Sequence, residues 1–526
     1  YMLKCSLLFF IFCFLFPNAF GGENLADGKY RNIELKDDGI LTQVELNIPN
    51  TRYVIKATLD LDNKSIKVPD NCIIAFEGGM LKNGEIKGSF VVEAANVQIF
   101  DSLICRKLLN RLIPIEWYGG KSYETLSECK RGKDSSVAID LALKSVYKHG
   151  ELLFSSGYYR IENTITIDRN YRFKGTGSKN DYSIDVDPNI GSRLVFTGVG
   201  KPMFIIANDF VSFDSFNFYH GTSNDQTDCF HFSDEARSLE LKNSILYCWR
   251  YGIYKEWNGT IRTGLNRCIF EKVKFSTCIG GVYMNQTIQG KEMFYCTGNF
   301  FDNCTFEHCL FGAYLVSNSN IAMVEFNRCN FYKIGWGKYN SMLYAKFGCA
   351  GLRFHCGNAS NQSSHVLIKG CYFEDIIPHK VDGGFDKNSE MKIGNIIYPI
   401  NDRYYSCIIS ENNSCVVDGC SFTNCPKYFS GDKYCSWDIR ENRIWGYNMK
   451  IPVYWHNKKL LYIWGNNNVE KKKKIKSAVL YSNVLSNNNV MLNGLVDFEF
   501  PEDKDKYNIL NCFEETFVDF PPQNKK

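Results

Sequence analysis

The stretch FDNCTFEHCLFGAYL, residues 301–315, decides the fold because the chain contains it in several versions. FEKVKFSTCIGGVYM occupies residues 270–284, and FNRCNFYKIGWGKYN occupies residues 326–340. Each version starts with an apolar residue, has a cysteine or valine three residues later and a phenylalanine two residues after that. A repeat with a period of about 30 residues indicates an array of stacked units rather than several separate cores.

The three-position core of this pattern occurs seven times between residues 213 and 422, at intervals of 25 to 49 residues. Apolar and polar residues alternate within each copy, which is typical of β-strands and not of helices. The unequal intervals predict loops of different length between the strands. The copies are Phe213/Phe216/Phe218, Leu241/Ser244/Leu246, Phe270/Val273/Phe275, Phe301/Cys304/Phe306, Phe326/Cys329/Phe331, Ile368/Cys371/Phe373 and Val417/Cys420/Phe422.

One strand from each coil of a solenoid would explain the repeat. Strands of successive coils are then parallel and about 4.8 Å apart, so that equivalent side chains lie above one another. We therefore expect Phe275 to stack near Phe306 and Phe331, and Cys304 to lie near Cys329. The predicted fold class is all-β.

The N-terminal half agrees with this interpretation. Residues 57–100 are a series of short strand-like runs separated by Asp-Asn, Gly-Gly and Asn-Gly turns. The segment DSSVAIDLALKSVYKHG, residues 134–150, predicts one helix over 134–149, with a capping residue before it and Gly150 after it. A helix at this place would cover the first coil, which otherwise exposes an apolar core and a sheet edge.

The segment from Asp134 to Leu143, followed by GELLFSSGYYRI at 150–161, resembles the opening of pectate-lyase-like and phage-tailspike-like proteins. There, a helix of the type DDTxAIQxAL leads to GGTVYFPPGTYRI. Residues 57–100 also resemble an N-terminal module of secreted, polysaccharide-degrading proteins from Bacteroides-like bacteria. The resemblance implies a right-handed parallel β-helix with an N-terminal strand module and a capping helix, acting on a polysaccharide.

The predicted organisation has four parts. An apolar run, Leu7–Phe16, is too short to span a membrane and precedes small residues, which is typical of a signal peptide. We therefore expect export to the periplasm, the cell surface or the medium. The parts are a signal peptide at 1–21, a strand module at 22–115, the β-helix at 116–435 and C-terminal coils with a cap at 436–526.

Composition limits the partners. The formal net charge is +4 over 526 residues, and Lys471–Lys474 is the densest basic run, so we expect no nucleic-acid partner. No transmembrane segment is expected beyond the leader. We expect no metal site and no required cofactor, although calcium stays possible, and no coiled-coil segment supports oligomer formation. The 22 cysteines leave three alternatives open: buried free thiols, several disulfides, or a metal site.

A series of tyrosines is the first candidate for substrate binding. Tyr254, Tyr283, Tyr314 and Tyr339 each come eight residues after the last position of a repeat copy. If they point outward, the row would suit the apolar ring faces of a sugar chain, with Trp249 and Trp257 beside it. The alternative is an internal aromatic stack.

Three carboxylates form the next candidate. Glu271 and Asp302 directly follow the first apolar position of their copies, so they should be outward neighbours on adjacent coils, and Glu307 follows the second phenylalanine of its copy. Carboxyl separations of about 5 to 10 Å bracket those of retaining and inverting glycosidases. The alternative is that these are ordinary surface acids.

The segment YHGTSNDQTDCFHFSDEA, residues 219–236, is the last candidate. Its Asp225, Asp228 and His231 are residue types that supply a general acid and base, or carboxylate ligands for calcium; the alternative is a polar turn. The catalytic motifs of polygalacturonases and the arginine motif of pectate lyases are absent. We expect a polysaccharide-cleaving enzyme, either a hydrolase or a lyase, with a non-catalytic glycan-binding or adhesion solenoid as the alternative.

Overall fold

The computed structural model describes most of residues 30–376 and several shorter segments after them. The described ranges are 30–147, 150–177, 191–220, 226–256, 264–286, 295–317, 320–335, 348–356, 365–376, 390–393, 396–399, 405–411, 413–423, 425, 429–431, 436–440, 443–445, 462–463, 484–485, 489–492 and 508–511. The predicted signal peptide at 1–21 lies outside them. The chain is mostly β-structure with long parallel sheets and is solenoid-like.

Two compact units divide the chain. The first contains residues 1–162, 171–176 and 187–192, and the second contains 163–170, 177–186 and 193–526. The predicted boundaries at 115/116 and 435/436 stay predictions.

The first unit contains a seven-stranded parallel sheet. Asn83 and Gly84, which we expected to end a strand, lie inside the long strand Met80–Glu93 with positive φ values of 55° and 154°. The strands of this sheet are Arg31–Glu34, Thr51–Ile55, Thr58–Asp60, Ser65–Lys67, Cys72–Phe76, Met80–Glu93 and Phe100–Leu108. Shorter strands of the unit are Leu112–Pro114, Ser122–Tyr123, Glu151–Leu153, Gly157–Ile161 and Arg172–Lys174.

The predicted helix is present as Ser136–Ser145. Its Ile139, Ala142 and Leu143 are buried, and Ser145 Oγ accepts a hydrogen bond from the amide of Cys105 at 3.0 Å. A second, shorter helix, Leu126–Arg131, begins at Thr125 with a capping box; we did not predict it. A 3₁₀ turn spans Ile115–Tyr118.

In the second unit, a sheet of nine parallel strands carries three of the four predicted tyrosines, Tyr254, Tyr283 and Tyr314. We call it the nine-stranded sheet. Its order follows the sequence, as expected when each strand comes from one coil. The strands are Ile165–Ile167, Phe204–Ile206, Phe230–Phe232, Tyr251–Glu256, Gly280–Gln286, Phe311–Ser317, Cys349–Cys356, Tyr405–Glu411 and Phe429–Gly431.

The repeat copies form the other large sheet, which we call the long sheet. Its strands from residue 192 onward, in chain order, are Ser192–Phe196, Val211–Asp214, Phe216–His220, Leu239–Tyr247, Ile269–Ser276, Phe300–Asp302, Thr305–Glu307, Val324–Asn327, Asn330–Tyr332, His365–Lys369, Tyr372–Glu374, Ser414–Asp418, Ser421–Thr423, Ser436–Arg440, Arg443–Trp445 and Tyr462–Ile463. Smaller sheets contain Tyr295–Thr297 with Asn320–Ala322, Glu390–Ile393 with Ile396–Pro399, and Val484–Leu485 with Asn489–Leu492 and Asn508–Asn511.

All seven repeat copies lie in register on the long sheet, as predicted. Phe306 lies between Phe275 and Phe331, with ring centroids 4.9 Å from each and the rings nearly parallel. The stack continues through Phe373 to Phe422 at 4.7 and 5.0 Å. We call these five residues the phenylalanine ladder. Its rings are fully buried and form the inner wall of this sheet.

Each coil bends at a residue in the left-handed backbone conformation, and the bend residues of successive coils lie above one another. At one corner the φ values range from 46° to 70°, and the amide of the corner residue donates to a carbonyl of the next coil, for example from Asn303 to Asn327 at 2.8 Å. Coil stacking therefore continues through the bend. The residues of this corner are Ser215, Asn243, Lys272, Asn303, Arg328, Gly370 and Gly419.

The cysteines of the described residues are free thiols, and all but Cys248 are buried. Cys304, Cys329, Cys371 and Cys420 continue one inner row, in which the amides of Cys329 and Cys371 approach the sulfur of the next cysteine at 3.4 and 3.3 Å. Burial raises the pKa of Cys268 to about 12, and such thiols are chemically inert. The described cysteines therefore agree with the first of the three alternatives, buried free thiols.

Two features are not found among the described residues. No helix among them is long and apolar enough to cross a membrane. No group of three or more His, Cys, Asp or Glu side chains among them is arranged to hold a metal ion. The calcium alternative stays a prediction.

Candidate functional site

One row of the nine-stranded sheet joins two of the predicted site groups. His231 pairs with Tyr254, which pairs with Tyr283, which pairs with Tyr314, and Arg353 follows on the next strand. The residues on either side of the tyrosines, such as Val282 and Met284, are fully buried. Because side chains alternate along a strand, the row lies on the outer face of the sheet.

The tyrosines pack mainly against one another. The rings of Tyr254 and Tyr283 stack with centroids 5.7 Å apart, and Tyr251 stacks on them at 5.3 and 4.8 Å. Tyr254 and Tyr283 are only 8% and 6% exposed, whereas Tyr314 is half-buried. Burial raises the pKa of Tyr283 to about 12. The tyrosine side chains therefore point to the outer face of the sheet and also form a packed aromatic stack. A ligand would contact Tyr314 and the polar groups at the edges of this stack.

A buried carboxylate lies at one end of this row. Asp228 is 2% exposed and accepts two hydrogen bonds from Arg250, from Nε to Oδ1 at 2.8 Å and from Nη2 to Oδ2. The guanidinium of Arg250 in turn lies 5.0 Å from the ring centroids of both Tyr251 and Tyr254. The ion pair and the cation–π contacts fix Arg250 in place.

His231 is held between these groups. Its Nδ1 is 3.6 Å from Asp228 Oδ2, and its ring centroid is 4.7 Å from that of Tyr254. About a third of its side chain is exposed. This distance is longer than that of a direct hydrogen bond.

Glu256 completes the group, although we did not predict it. The hydroxyl of Tyr254 donates a hydrogen bond to Glu256 Oε2, and Glu256 is exposed. The signal was present in the sequence, because Glu256 follows Tyr254 by two residues and therefore lies on the same face of the strand. We call Asp228, His231, Arg250, Tyr254 and Glu256 the outer-face cluster.

The other predicted carboxylates lie on the long sheet. Glu271 and Asp302 are paired in register on adjacent strands, as expected. Asp302 accepts hydrogen bonds from Asn327 at 2.7 Å and from Arg328 at 2.8 Å, and Glu271 has Lys242 and Lys272 within 4.0 Å. Both are therefore neutralised by neighbouring cations.

Glu307 lies in a separate, buried ion pair. Lys274 Nζ is 2.8 Å from its Oε2 and His308 Nδ1 is 3.1 Å from its Oε1, and the Glu307 side chain is 8% exposed. Burial lowers the pKa of Lys274 against the opposing effect of Glu307.

Of four other predicted residues, the structure describes Trp249. Trp249 is 1% exposed, stacks on Phe196 and donates its Nε1 hydrogen to the carbonyl of Phe218 at 3.1 Å, so we leave it out of the site. Asp225, Trp257 and Tyr339 lie outside the described residues.

Lys255 secures the segment that follows His231. It is fully buried, and its ammonium donates to the carbonyls of Ser233 at 3.2 Å, Asp234 at 3.4 Å and Ala236. Burial lowers its pKa from 10.5 to about 8.

This shift predicts a pH dependence of stability. Between pH 8 and 10.5 the unfolded chain keeps the Lys255 proton while the native chain loses it. The contribution of Lys255 to the free energy of unfolding therefore rises with pH, by at most about 1.4 kcal/mol per pH unit. Buried thiols have the opposite effect, because their pKa values are raised. We therefore expect the free energy of unfolding of wild type, minus that of Lys255→Met, to rise across this range in urea titrations. A flat difference would contradict it.

Comparisons with known proteins give no family. No protein-family model matches the chain, and no curated protein matches it. Among solved structures, it is similar to ORF18 of Geobacillus virus E2, with 12% sequence identity and a TM-score of 0.30. The match covers 71% of this chain and 65% of that chain, which is less than two thirds of ORF18. A similarity of this degree carries no functional information.

Proposed function

We propose that this chain is an exported polysaccharide-cleaving enzyme, a glycoside hydrolase or a polysaccharide lyase, and that the outer-face cluster is its active site. The proposal includes a right-handed parallel β-helix of the pectate-lyase-like and tailspike-like type. The observation that carries it is a half-exposed histidine backed by a buried carboxylate and placed beside an arginine and a tyrosine. These residue types supply proton transfer and charge stabilisation.

The roles follow from the contacts. Asp228 lies behind His231 and orients its ring, and His231 delivers a proton to the leaving glycosidic oxygen. Arg250, already fixed by Asp228, stabilises negative charge that develops on the substrate. Tyr314, the half-buried ring of the row, has the guanidinium of Arg353 4.5 Å from its centroid, and its exposed part offers a contact to a sugar ring.

A glycan-binding or adhesion solenoid without catalysis is the second candidate. The pairing of Asp302 with Arg328, and of Glu307 with Lys274, favours it. Carboxylates that are neutralised in this way serve poorly as general acids or bases.

The test is a depolymerisation screen with wild type, His231→Asn and the matched control His308→Asn. His308 also contacts a carboxylate but directly follows a strand of the long sheet, Thr305–Glu307, and asparagine tolerates its φ of 53°. We expect wild type to cleave at least one plant, algal or host polysaccharide, and His231→Asn to lose about 10²–10⁴-fold in kcat, with His308→Asn unchanged.

The readouts distinguish the two reaction types. New reducing ends together with the ultraviolet absorbance of an unsaturated uronate identify a lyase, and reducing ends alone identify a hydrolase. Each reaction is run with and without calcium. Binding without cleavage across the panel would replace the enzyme by the glycan-binding solenoid. Cleavage that survives in His231→Asn would move the active site elsewhere.

A further inference from the structure

We propose that Glu256 is a catalytic residue that acts as the general base opposite His231. The inference rests on the proposed function and adds a residue that lies beside the tyrosine row. Within the outer-face cluster, both carboxylate oxygens of Asp228 are hydrogen-bonded to Arg250, so a second proton-transfer group has to come from another residue. Glu256 is the exposed carboxylate of the cluster.

The position of Glu256 is fixed by Tyr254. The phenol donates its hydrogen to Glu256 Oε2, which limits the rotamers of an otherwise flexible side chain. Burial, followed by the hydrogen bond to Glu256, raises the pKa of Tyr254. The phenol therefore stays protonated near neutral pH and continues to donate. Tyr254 acts here as a positioning residue.

The distance between His231 and Glu256 suits a pair of catalytic groups. His231 pairs directly with Tyr254 on the adjacent strand, and Glu256 lies two residues further along. A strand separation of about 4.8 Å and a rise of about 3.3 Å per residue place their Cα atoms about 8 Å apart. A sugar unit placed over the outer face at this point would lie within reach of both side chains.

The charge environment of Glu256 differs from that of the other carboxylates. Asp228, Glu271, Asp302 and Glu307 each lie within 4.0 Å of a basic side chain. Among the described residues, no basic side chain forms an ion pair with Glu256. Its carboxylate accepts the hydrogen bond from the Tyr254 hydroxyl. Within the outer-face cluster, the Glu256 carboxylate therefore faces a neutral hydroxyl, whereas the Asp228 carboxylate faces a guanidinium.

The proton balance is the same for both reaction types. In hydrolysis, Glu256 takes a proton from water while the oxygen bonds to the anomeric carbon. In elimination, it takes the proton from the carbon next to a carboxyl group, and the electron pair left there forms a carbon–carbon double bond. In either case the bond to the glycosidic oxygen breaks and His231 gives that oxygen its proton. Glu256 then loses its proton to solvent and His231 regains one, so the site returns to its starting state.

The experiment compares Glu256→Gln and Tyr254→Phe with the control Glu240→Gln, a half-buried glutamate on the long sheet. With a polysaccharide that wild type cleaves, we expect Glu256→Gln to lower kcat by about 10²–10⁴-fold with little change in KM. The residual activity should lack the acid limb of the pH profile, because no base remains to be protonated. Tyr254→Phe should lower kcat less, and Glu240→Gln should leave kcat unchanged.

Each outcome decides the matter. An unchanged kcat and acid limb in Glu256→Gln would overturn the role of Glu256 while leaving the proposed function standing. A wild-type protein that cleaves no polysaccharide of the panel would overturn both. Thermal unfolding and circular dichroism of each variant show whether a loss comes from misfolding. If Glu256→Gln is misfolded, Glu256→Asp is tested in its place; it withdraws the carboxylate by one methylene. We expect this variant to lower kcat and to keep the acid limb of the pH profile. A kcat equal to that of wild type would overturn the role of Glu256.

Discussion

Replacing Phe306 by alanine is expected to lower the free energy of unfolding by about 3–5 kcal/mol. Phe306 is fully buried between Phe275 and Phe331, each 4.9 Å away and nearly parallel to it. Truncation removes the transfer free energy of the ring and leaves a cavity. The coils above and below cannot close this cavity, because backbone hydrogen bonds fix their spacing. Urea denaturation followed by circular dichroism measures the loss.

Phe300→Ala is the matched control. Phe300 lies in the neighbouring strand of the same coil, but it is 41% exposed and points to the opposite face. We expect its replacement to change stability by no more than about 0.5 kcal/mol. Equal losses in the two variants would mean that the ladder does not support the fold.

A methyl group on Gly312 is expected to cost about 3 kcal/mol, the upper end of the range for overpacking. A Cβ atom there would lie 2.4 Å from the carbonyl oxygen of Gly351 and 2.9 Å from the ring of Phe331. The first of these atoms belongs to the backbone and cannot rotate away. Gly312→Ala should therefore lower the urea midpoint, and the double variant Gly312→Ala/Phe331→Leu separates the two contacts.

The double variant has a defined outcome. If the ring is the main obstacle, the smaller leucine side chain restores part of the loss, and the two substitutions are not additive. If the carbonyl is the main obstacle, the losses add. A Gly312→Ala protein as stable as wild type would show that the coil spacing adjusts by several tenths of an ångström.

The sequence predicted the phenylalanine ladder because equivalent positions of a parallel solenoid lie above one another. Once Phe275, Phe306 and Phe331 were aligned, their contact followed from the strand spacing alone. The helix at Ser136–Ser145 was equally predictable from its apolar pattern. The short helix Leu126–Arg131 was not, because six residues carry too little periodicity.

The candidate site was only partly predictable. The alternation along each strand predicted the common face of Tyr254, Tyr283 and Tyr314, but not how closely their rings pack against one another. The pairing of Asp228 with Arg250 depends on two side chains 22 residues apart, each just before a strand of the nine-stranded sheet. Loop geometry decides such contacts, and the repeat contains no information about it.

The left-handed corner that runs from Ser215 to Gly419 has a consequence for how such a chain evolves. At that corner, geometry and hydrogen bonding repeat from coil to coil, although the repeat copies are 25 to 49 residues apart. The register of the core is thus independent of the length of the segments that leave it. Insertions and deletions in those segments alter the surface offered to a ligand while the scaffold keeps its stability, so specificity and folding are free to be selected separately.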